Sequence, residues 1–232
     1  MQKNVSQVDI FARMIGIGLF PIFLIILPWH AIDPINAPKF FFLVTTASVI
    51  GFVALFFRKS LKAPELKKYR IILSLFVLQM LMVMLFSGSN ISLQFFGTFG
   101  RNTGFLTYLS LAILFYFSAY SAINGSAPYL LKALTIVMCI SGIYGGVQAL
   151  NLDPVPWDNE FSRVIGFLGN PDFQAALLGI LCTFLVAKFL DSSLTKNQKA
   201  ILLILLSLLL VIVYETKAKQ GLLNFLAGLI II

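Results

Sequence analysis

Residues 200–214 read Ala-Ile-Leu-Leu-Ile-Leu-Leu-Ser-Leu-Leu-Leu-Val-Ile-Val-Tyr, a run without a single charged side chain. A helix that crosses the hydrocarbon core of a membrane needs about 20 mostly apolar residues, and this run supplies most of one. Comparable runs recur along the whole chain. We therefore predict an all-α fold, a polytopic transmembrane helix bundle with about eight spans, at residues 12–30, 40–57, 71–87, 104–122, 131–150, 172–190, 200–214 and 220–232.

The composition excludes the water-soluble classes of protein. Of the 232 residues, 59% are hydrophobic and 11% are charged, whereas soluble domains carry about 25% charged residues. The two cysteines, Cys139 and Cys182, lie in apolar runs without a CxxC pair, so we predict packing roles and neither a disulfide nor a metal site. The sequence also lacks the GxxxxGK[ST], HExxH, GxSxG and GxGxxG motifs, and we expect no cofactor.

The basic residues predict a cytoplasmic N-terminus. With that orientation the inner segments carry twelve of the 17 Lys and Arg, which satisfies the positive-inside rule. The segment 58–70 holds six of the twelve and could instead bind anionic lipid or nucleic acid, but topology explains it fully. We expect a lipid bilayer as a partner and no nucleic acid. The five basic residues on the predicted outer side are Lys39, Arg101, Arg163, Lys217 and Lys219.

Both ends of the chain allow a prediction. The first apolar run has no cleavage site after it, so we expect a retained helix and not a signal peptide. In the last run only 11 residues follow Gly221, which span about 16 Å or half a bilayer. We therefore expect residues 1–232 to form a single transmembrane domain that is the N-terminal fragment of a longer one.

Three polar segments on the predicted outer side contain candidate functional residues. In the first, residues 87–104, Arg101 lies between Gly100 and Gly104 just before a predicted helix, with Asn102 or Thr103 as its N-cap. An arginine beside the free N–H groups of a helix start suits a phosphate. The alternative is an interfacial arginine that reaches lipid headgroups.

The second segment, residues 151–171, contains Arg163 and Gly166 before Asn170 and Pro171, which we expect to cap and open the next helix. Its acidic residues are candidate bases or acceptors for sugar hydroxyls, with plain solvation as the alternative: Asp153, Asp158 and Glu160.

The third segment, residues 214–221, places Lys217 and Lys219 between two strongly apolar runs. A lysine near the membrane interior is costly, which makes both lysines candidates for function. The alternative is a short outer hairpin whose lysines reach the headgroups.

These three segments, which span about 120 residues of the chain, resemble the bacterial O-antigen ligase and O-antigen polymerase family of polytopic membrane glycan transferases. The residues that carry the resemblance are Gly100-Arg101-Asn102-Thr103-Gly104, then Arg163 with Gly166, Gly169, Asn170 and Pro171, and finally Thr216-Lys217-Ala218-Lys219-Gln220-Gly221.

The resemblance implies transfer of a glycan from a polyprenyl-diphosphate carrier to a glycan or lipid-linked acceptor, at the outer face of the bacterial cytoplasmic (inner) membrane. No metal is needed. The residues implied to bind the diphosphate, whose negative charge grows as it leaves, are Arg101, Arg163, Lys217 and Lys219. The family has an arginine in the third segment, where Lys219 stands at or beside its place and offers a point charge instead of a bidentate fork.

The resemblance assigns no general base to this chain. The functional histidine of the family belongs to a C-terminal region, which would lie beyond Ile232. The single histidine, His30, ends the first predicted span and is in the wrong place to replace it.

Two other functions remain open at this point. A transporter or permease of the same fold would need polar side chains along the middle of its spans, and few exist: Ser48, Gln79, Ser110, Ser141 and Gln148. A non-catalytic, truncated membrane protein is the other alternative. The glycan transferase hypothesis predicts that Arg101, Arg163 and Lys219 converge on one cavity at the outer face.

Overall fold

The computed structural model describes residues 5–29, 32–58, 61, 63–157 and 159–232, and within these ranges the chain is helical without strands. The helices are α1 (Val5–Leu24), α2 (Asn36–Phe57), α3 (Lys67–Phe86), α4 (Ile91–Phe96), α5 (Phe105–Ser121), α6 (Ala127–Ala149), α7 (Pro171–Phe189), α8 (Lys196–Glu215) and α9 (Lys219–Ile231). A 3₁₀ turn at Pro64–Leu66 precedes α3. His30, one of the residues considered above, lies outside the described residues.

The predicted membrane class agrees with the helix lengths. Five segments of the described chain are long and apolar enough to cross a bilayer: Asn36–Phe57, Pro64–Phe86, Phe105–Ala149, Pro171–Phe189 and Lys196–Glu215. The apolar part of α1, Ile10–Leu24, and all of α9 are shorter than the other five. The protein is therefore an all-α protein with several helices suited to a membrane.

The spans predicted at 104–122 and 131–150 are joined without a loop. A five-residue π-helical turn, Ala122–Ser126, connects α5 to α6, and a kink is centred on Gly125, whose φ of 98° is left-handed. The side-chain amide of Asn124 donates to the main-chain oxygen of Tyr120 at 2.7 Å. Asn-Gly is a strong turn signal in sequence, but here the helix accommodates it as a kink.

The chain divides into two compact units, Met1–Leu134 and Thr135–Ile232, with the boundary inside α6. In the first unit, α1 packs on α2 and α5. Its core is aromatic: Phe11 is fully buried and stacks on Phe117 with ring centroids 4.7 Å apart, while Tyr120 meets Phe11 edge-on. The other buried residues of this cluster are Ile15, Ile50, Ala63 and Leu66.

In the second unit, α7 packs against both α8 and α9. The α7–α9 contact is a close backbone approach at two glycines, because a Cβ on Gly179 would lie 2.2 Å from the carbonyl oxygen of Gly221. Small residues permit this approach between apolar helices. The start of α8 is closed by a reciprocal capping box between Thr195 and Gln198.

The structure places Cys139 in α6 and Cys182 in α7. The thiols of Cys139 and Cys182 are free, and Cys182 is fully buried within α7.

Candidate functional site

The loop between α6 and α7 is held by one buried glutamine. The side-chain oxygen of Gln148 accepts hydrogen bonds from the main-chain N–H groups of Ile165, at 3.1 Å, and Gly166, at 2.7 Å. Its amide nitrogen donates to the carboxylate of Asp153 at 2.9 Å. Gln148 is only 2% exposed, so these bonds form away from solvent and all three fix the loop to the end of α6.

Asp153 is neither freely solvated nor free to act as a base. Besides the bond from Gln148, its carboxylate accepts from the Tyr144 hydroxyl at 2.7 Å and from the Val155 N–H at 3.0 Å. Burial opposes its charge, but these hydrogen bonds favour the charged form more strongly and hold the pKa of Asp153 below its ordinary value. The indole of Trp157 donates to Tyr144 at 2.9 Å, which extends the network along the loop.

A second buried glutamine explains why residue 166 is glycine. Gln174, which is fully buried in α7, exchanges two hydrogen bonds with Ser141 of α6, one with the hydroxyl at 2.8 Å and one with the main-chain oxygen at 3.0 Å. A Cβ on Gly166 would lie 2.0 Å from the Gln174 side-chain oxygen, and Gly166 also has a left-handed φ of 58°. The loop can therefore reach the glutamine only through a residue without a side chain.

Arg163 joins this loop to the end of α8. Its guanidinium donates to the side-chain oxygen of Asn151 at 2.9 Å and forms an ion pair with Glu215 at 3.4 Å. The neighbouring Ser162 hydroxyl donates to the main-chain oxygen of Glu215 at 3.0 Å. The Arg163 side chain remains 48% exposed, so the guanidinium is positioned by two partners and still open to a further ligand.

The turn between α8 and α9 presents two lysines. Thr216 is buried, donates from its hydroxyl to the Val213 oxygen at 2.6 Å and accepts from the Ala218 N–H at 3.2 Å, which closes the end of α8. Lys217 then adopts a left-handed φ of 59°, and Lys219 is the first residue of α9. Both lysine side chains are exposed.

Two cavities adjoin this turn. The larger, about 660 Å³, is lined by Tyr214, Glu215, Lys217 and Lys219 together with apolar residues of α8 and α9. The smaller, about 350 Å³, is lined by Asn159, Phe161, Asn170, Pro171, Asp172, Thr216, Lys217 and Ala218. Lys217 lines both, so its ammonium group is next to two spaces large enough for a small polar ligand.

The start of α7 has the predicted form. The Asn170 side chain accepts from the Asp172 N–H at 2.8 Å, and Pro171 occupies the first helical turn. Gly221 packs its backbone on α7, since a Cβ there would lie 2.5 Å from the Ala175 oxygen. The second and third motif segments thus lie together in one unit.

Arg101 belongs to the first unit, and its local structure corrects one prediction. The N-cap of α5 is Gly104 and neither Asn102 nor Thr103. The reason is a close approach within the loop: a Cβ on Gly104 would lie 2.3 Å from the Gly97 nitrogen, so the helix can begin only at a glycine. Asn102 is left-handed, with φ of 50°.

Arg101 is exposed and lines a cavity of about 160 Å³ together with Asn36, Lys39, Asn102, Thr107 and apolar residues of α1 and α2. Lys39 is already engaged there. Its ammonium group donates to the main-chain oxygens of Phe23, at 3.1 Å, and Ile25, at 2.6 Å. These two hydrogen bonds cap the C-terminal end of α1. Gly100, beside Arg101, has a left-handed φ of 83°.

The structure pairs Arg163 with Glu215, and Lys217 lines one cavity with Glu215 and Lys219 and another with the start of α7. Arg163 lines neither of these two cavities, so its predicted convergence with Lys219 on one cavity is not seen there. Arg101 lies in the first unit, and its convergence with the others stays a prediction. Of the acidic candidates, Glu160 is exposed and Asp158 lies outside the described residues. Among the residues that the structure describes, no group of His, Cys, Asp and Glu could hold a metal ion.

Sequence reasoning missed the residues that hold this site. Gln148 was considered only as a polar group in mid-span, and neither Gln174 nor Glu215 was a site candidate. A glutamine inside an apolar helix signals a buried hydrogen bond. Apart from Asp153, which follows Gln148 by five residues, the partners lie 17 or more residues away in the chain and cannot be found from spacing.

Comparison of the chain with protein-family models, with curated proteins and with solved structures finds no match.

Proposed function

We propose that the protein takes part in moving a glycan from a polyprenyl-diphosphate carrier to a glycan or lipid-linked acceptor, with the cluster around Arg163 and Lys217 binding the diphosphate. The observation that supports it most is the position of Arg163, which two partners orient and which stays half exposed. Lys217 and Lys219 supply two further cations around a cavity of about 660 Å³.

The chemistry of the donor matches these cations. In the transfer, the acceptor hydroxyl oxygen bonds to the anomeric carbon and gives up its proton to a base that is not assigned in this chain. The bond between that carbon and the diphosphate oxygen breaks, and the diphosphate keeps the electron pair and gains negative charge. A positioned guanidinium can donate hydrogen bonds to two phosphate oxygens at once, whereas an ammonium group acts as a point charge. Cations held in place before the reaction stabilise this charge without further rearrangement.

The membrane setting of this proposal is a bacterial cytoplasmic membrane, eight spans and a cytoplasmic N-terminus. Under that orientation the turn between α8 and α9 and the loop between α6 and α7 face outward, where the carrier would present its glycan. The twelve inner basic residues against five outer ones support the orientation. Arg101, also on the outer side, would be a further diphosphate ligand.

A transporter receives less support from the same residues. Three polar side chains within the spans of the second unit, Ser141, Gln148 and Gln174, are buried and bonded to other protein groups. Side chains that line a transport pathway have to be free to meet their cargo.

A binding titration tests the proposal. The full chain in lipid nanodiscs is titrated with a polyprenyl diphosphate and with the corresponding monophosphate. We expect Arg163→Ala to weaken diphosphate binding about tenfold or more, because a hydrogen bond to a charged group contributes about 1.5–3 kcal/mol. Lys217→Gly removes a charge and suits the left-handed φ, so it should weaken binding without destabilising the fold.

The matched control is Lys199→Ala, which removes a partly exposed lysine from the first turn of α8, where it lies over the Phe189 ring. It should bind the diphosphate as the unmodified chain does. Equal losses in the Arg163 and Lys199 variants would refute a localised site, since they would indicate only a general attraction between basic protein and anionic lipid.

A further inference from the structure

A long apolar groove runs along the first unit between α3 and α5. Its volume is about 480 Å³, and its walls include Leu78 and Leu81 of α3 and Leu109 and Tyr116 of α5. Among the residues that line it, Arg70 is the one charged side chain. No residue of α3 is buried, so the side chains of this helix are in contact with the surroundings of the protein.

The groove has the length of one membrane leaflet. From Arg70 to Leu81 the helix advances eleven residues, or about 16 Å at 1.5 Å per residue. One leaflet of the hydrocarbon core is about 15 Å thick. A chain that lies in the groove would therefore reach from the polar interface, marked by Arg70, to the middle of the bilayer.

The charge at the groove end favours an anion. Arg70 is exposed and lies in the first turn of α3 with Lys67 and Lys68, while Arg58 directly follows α2. Positive-inside topology accounts for the number of these basic residues, but it does not require that one of them line an apolar groove.

From these observations we propose that the α3–α5 groove is a binding site for one anionic phospholipid, with an acyl chain between the helices and the headgroup phosphate on the Arg70 guanidinium. The occupant is a lipid of the same leaflet as Arg70. This site is separate from the proposed diphosphate cluster of the second unit and does not depend on it.

The polar end of the groove explains the selectivity for anionic headgroups. A guanidinium binds phosphate oxygens bidentately, and a basic residue near a membrane surface attracts an anionic headgroup with about 1 kcal/mol. Zwitterionic phosphatidylcholine carries a phosphate as well, but its choline opposes the basic cluster. We expect phosphatidylglycerol to bind about fivefold more tightly than phosphatidylcholine of the same acyl chains.

Native mass spectrometry of the full chain in detergent, titrated with each lipid, measures this preference. Arg70→Ala should abolish it, and Arg70→Lys should retain part of it. Lys68→Ala is the matched control, because it removes the same charge from the same helical turn outside the groove lining. Loss of the preference in Lys68→Ala to the same extent as in Arg70→Ala would overturn the proposal in favour of diffuse attraction.

A second pair of variants tests the acyl chain. Ser74 is exposed and lines the groove, so Ser74→Phe fills the space without disturbing the core. We expect it to weaken both lipids about fivefold or more. Leu75→Phe adds the same ring to an exposed position outside the groove and should change nothing. Ser74→Leu serves the same purpose with a smaller side chain if the Phe variant does not fold, and undiminished lipid binding in the folded Ser74 variant would overturn the proposal.

Discussion

Replacing Gly179 by alanine tests the close contact of α7 and α9 on which the third motif segment depends. The new Cβ would lie 2.2 Å from the Gly221 oxygen and 3.0 Å from its carbonyl carbon, whereas ordinary contact begins near 3.4 Å. The atoms it meets are main-chain atoms that cannot rotate away. The two helices therefore have to separate by about 1 Å, a distance at which packing attraction is largely lost.

The expected cost follows from two opposing effects. Overpacking of this kind costs about 1–3 kcal/mol, with the upper end expected where backbone meets backbone, while alanine gains up to about 1 kcal/mol over glycine within a helix. The net effect is a loss of about 2 kcal/mol in the free energy of unfolding. Gly51→Ala in α2 is the matched control, because nothing lies within 4 Å of its added Cβ and only the gain applies.

Unfolding of both variants is measured by titration from a mild detergent into SDS. A difference of about 3 kcal/mol between Gly179→Ala and Gly51→Ala is expected, the sum of the loss and the gain. Diphosphate binding should also weaken in Gly179→Ala, since Lys219 moves with the start of α9. Equal stabilities of the two variants would show that the helices do not meet at these glycines.

Two further predictions concern the loop between α6 and α7. Gln148→Leu leaves the N–H groups of Ile165 and Gly166 without a partner, which should cost about 2–4 kcal/mol in the same titration, whereas Gln79→Leu at an exposed position should cost nothing. The lowered pKa of Asp153 means that its carboxylate stabilises the fold above its unfolded pKa of about 3.9 and loses that contribution as the pH falls toward the folded value. Unfolding at about pH 6 and about pH 3 should therefore differ less in Asp153→Asn than in the unmodified chain; an unchanged difference would contradict the role of the carboxylate.

Long apolar runs made the helices predictable. The predicted spans at 40–57 and 200–214 lie within α2 and α8, because Leu, Ile and Phe runs of this length fit a helix and little else. The short α4 escaped prediction, since six residues among glycines carry no periodicity. The spans predicted at 104–122 and 131–150 were separate, whereas in the structure the π-helical turn Ala122–Ser126, with its left-handed Gly125, joins the two helices.

The charged residues of the candidate site were predictable from the sequence, but the residues that hold them in place were not. Arg163 and Lys217 are charged residues in polar segments that lie between long apolar runs, which a single sequence reveals. Their arrangement depends on Glu215 and Gln148, whose roles arise only when helices distant in sequence pack together. The prediction of the α5 N-cap was wrong for a related reason, because contact with Gly97 excludes a side chain at Gly104.

Because Arg163 forms an ion pair with Glu215, any anion that binds this arginine has to compete with the Glu215 carboxylate. Every phospholipid around the protein carries a phosphate, and each could in principle occupy an uncovered arginine. A carboxylate held 3.4 Å away acts as a resident competitor, because an incoming anion has to displace it. In the proposed function a diphosphate would offer a second charged group to a lysine of the same unit, whereas a single phosphate has none to offer. Under that proposal, the Arg163–Glu215 ion pair lowers the affinity of the site for the lipid phosphates that surround the protein.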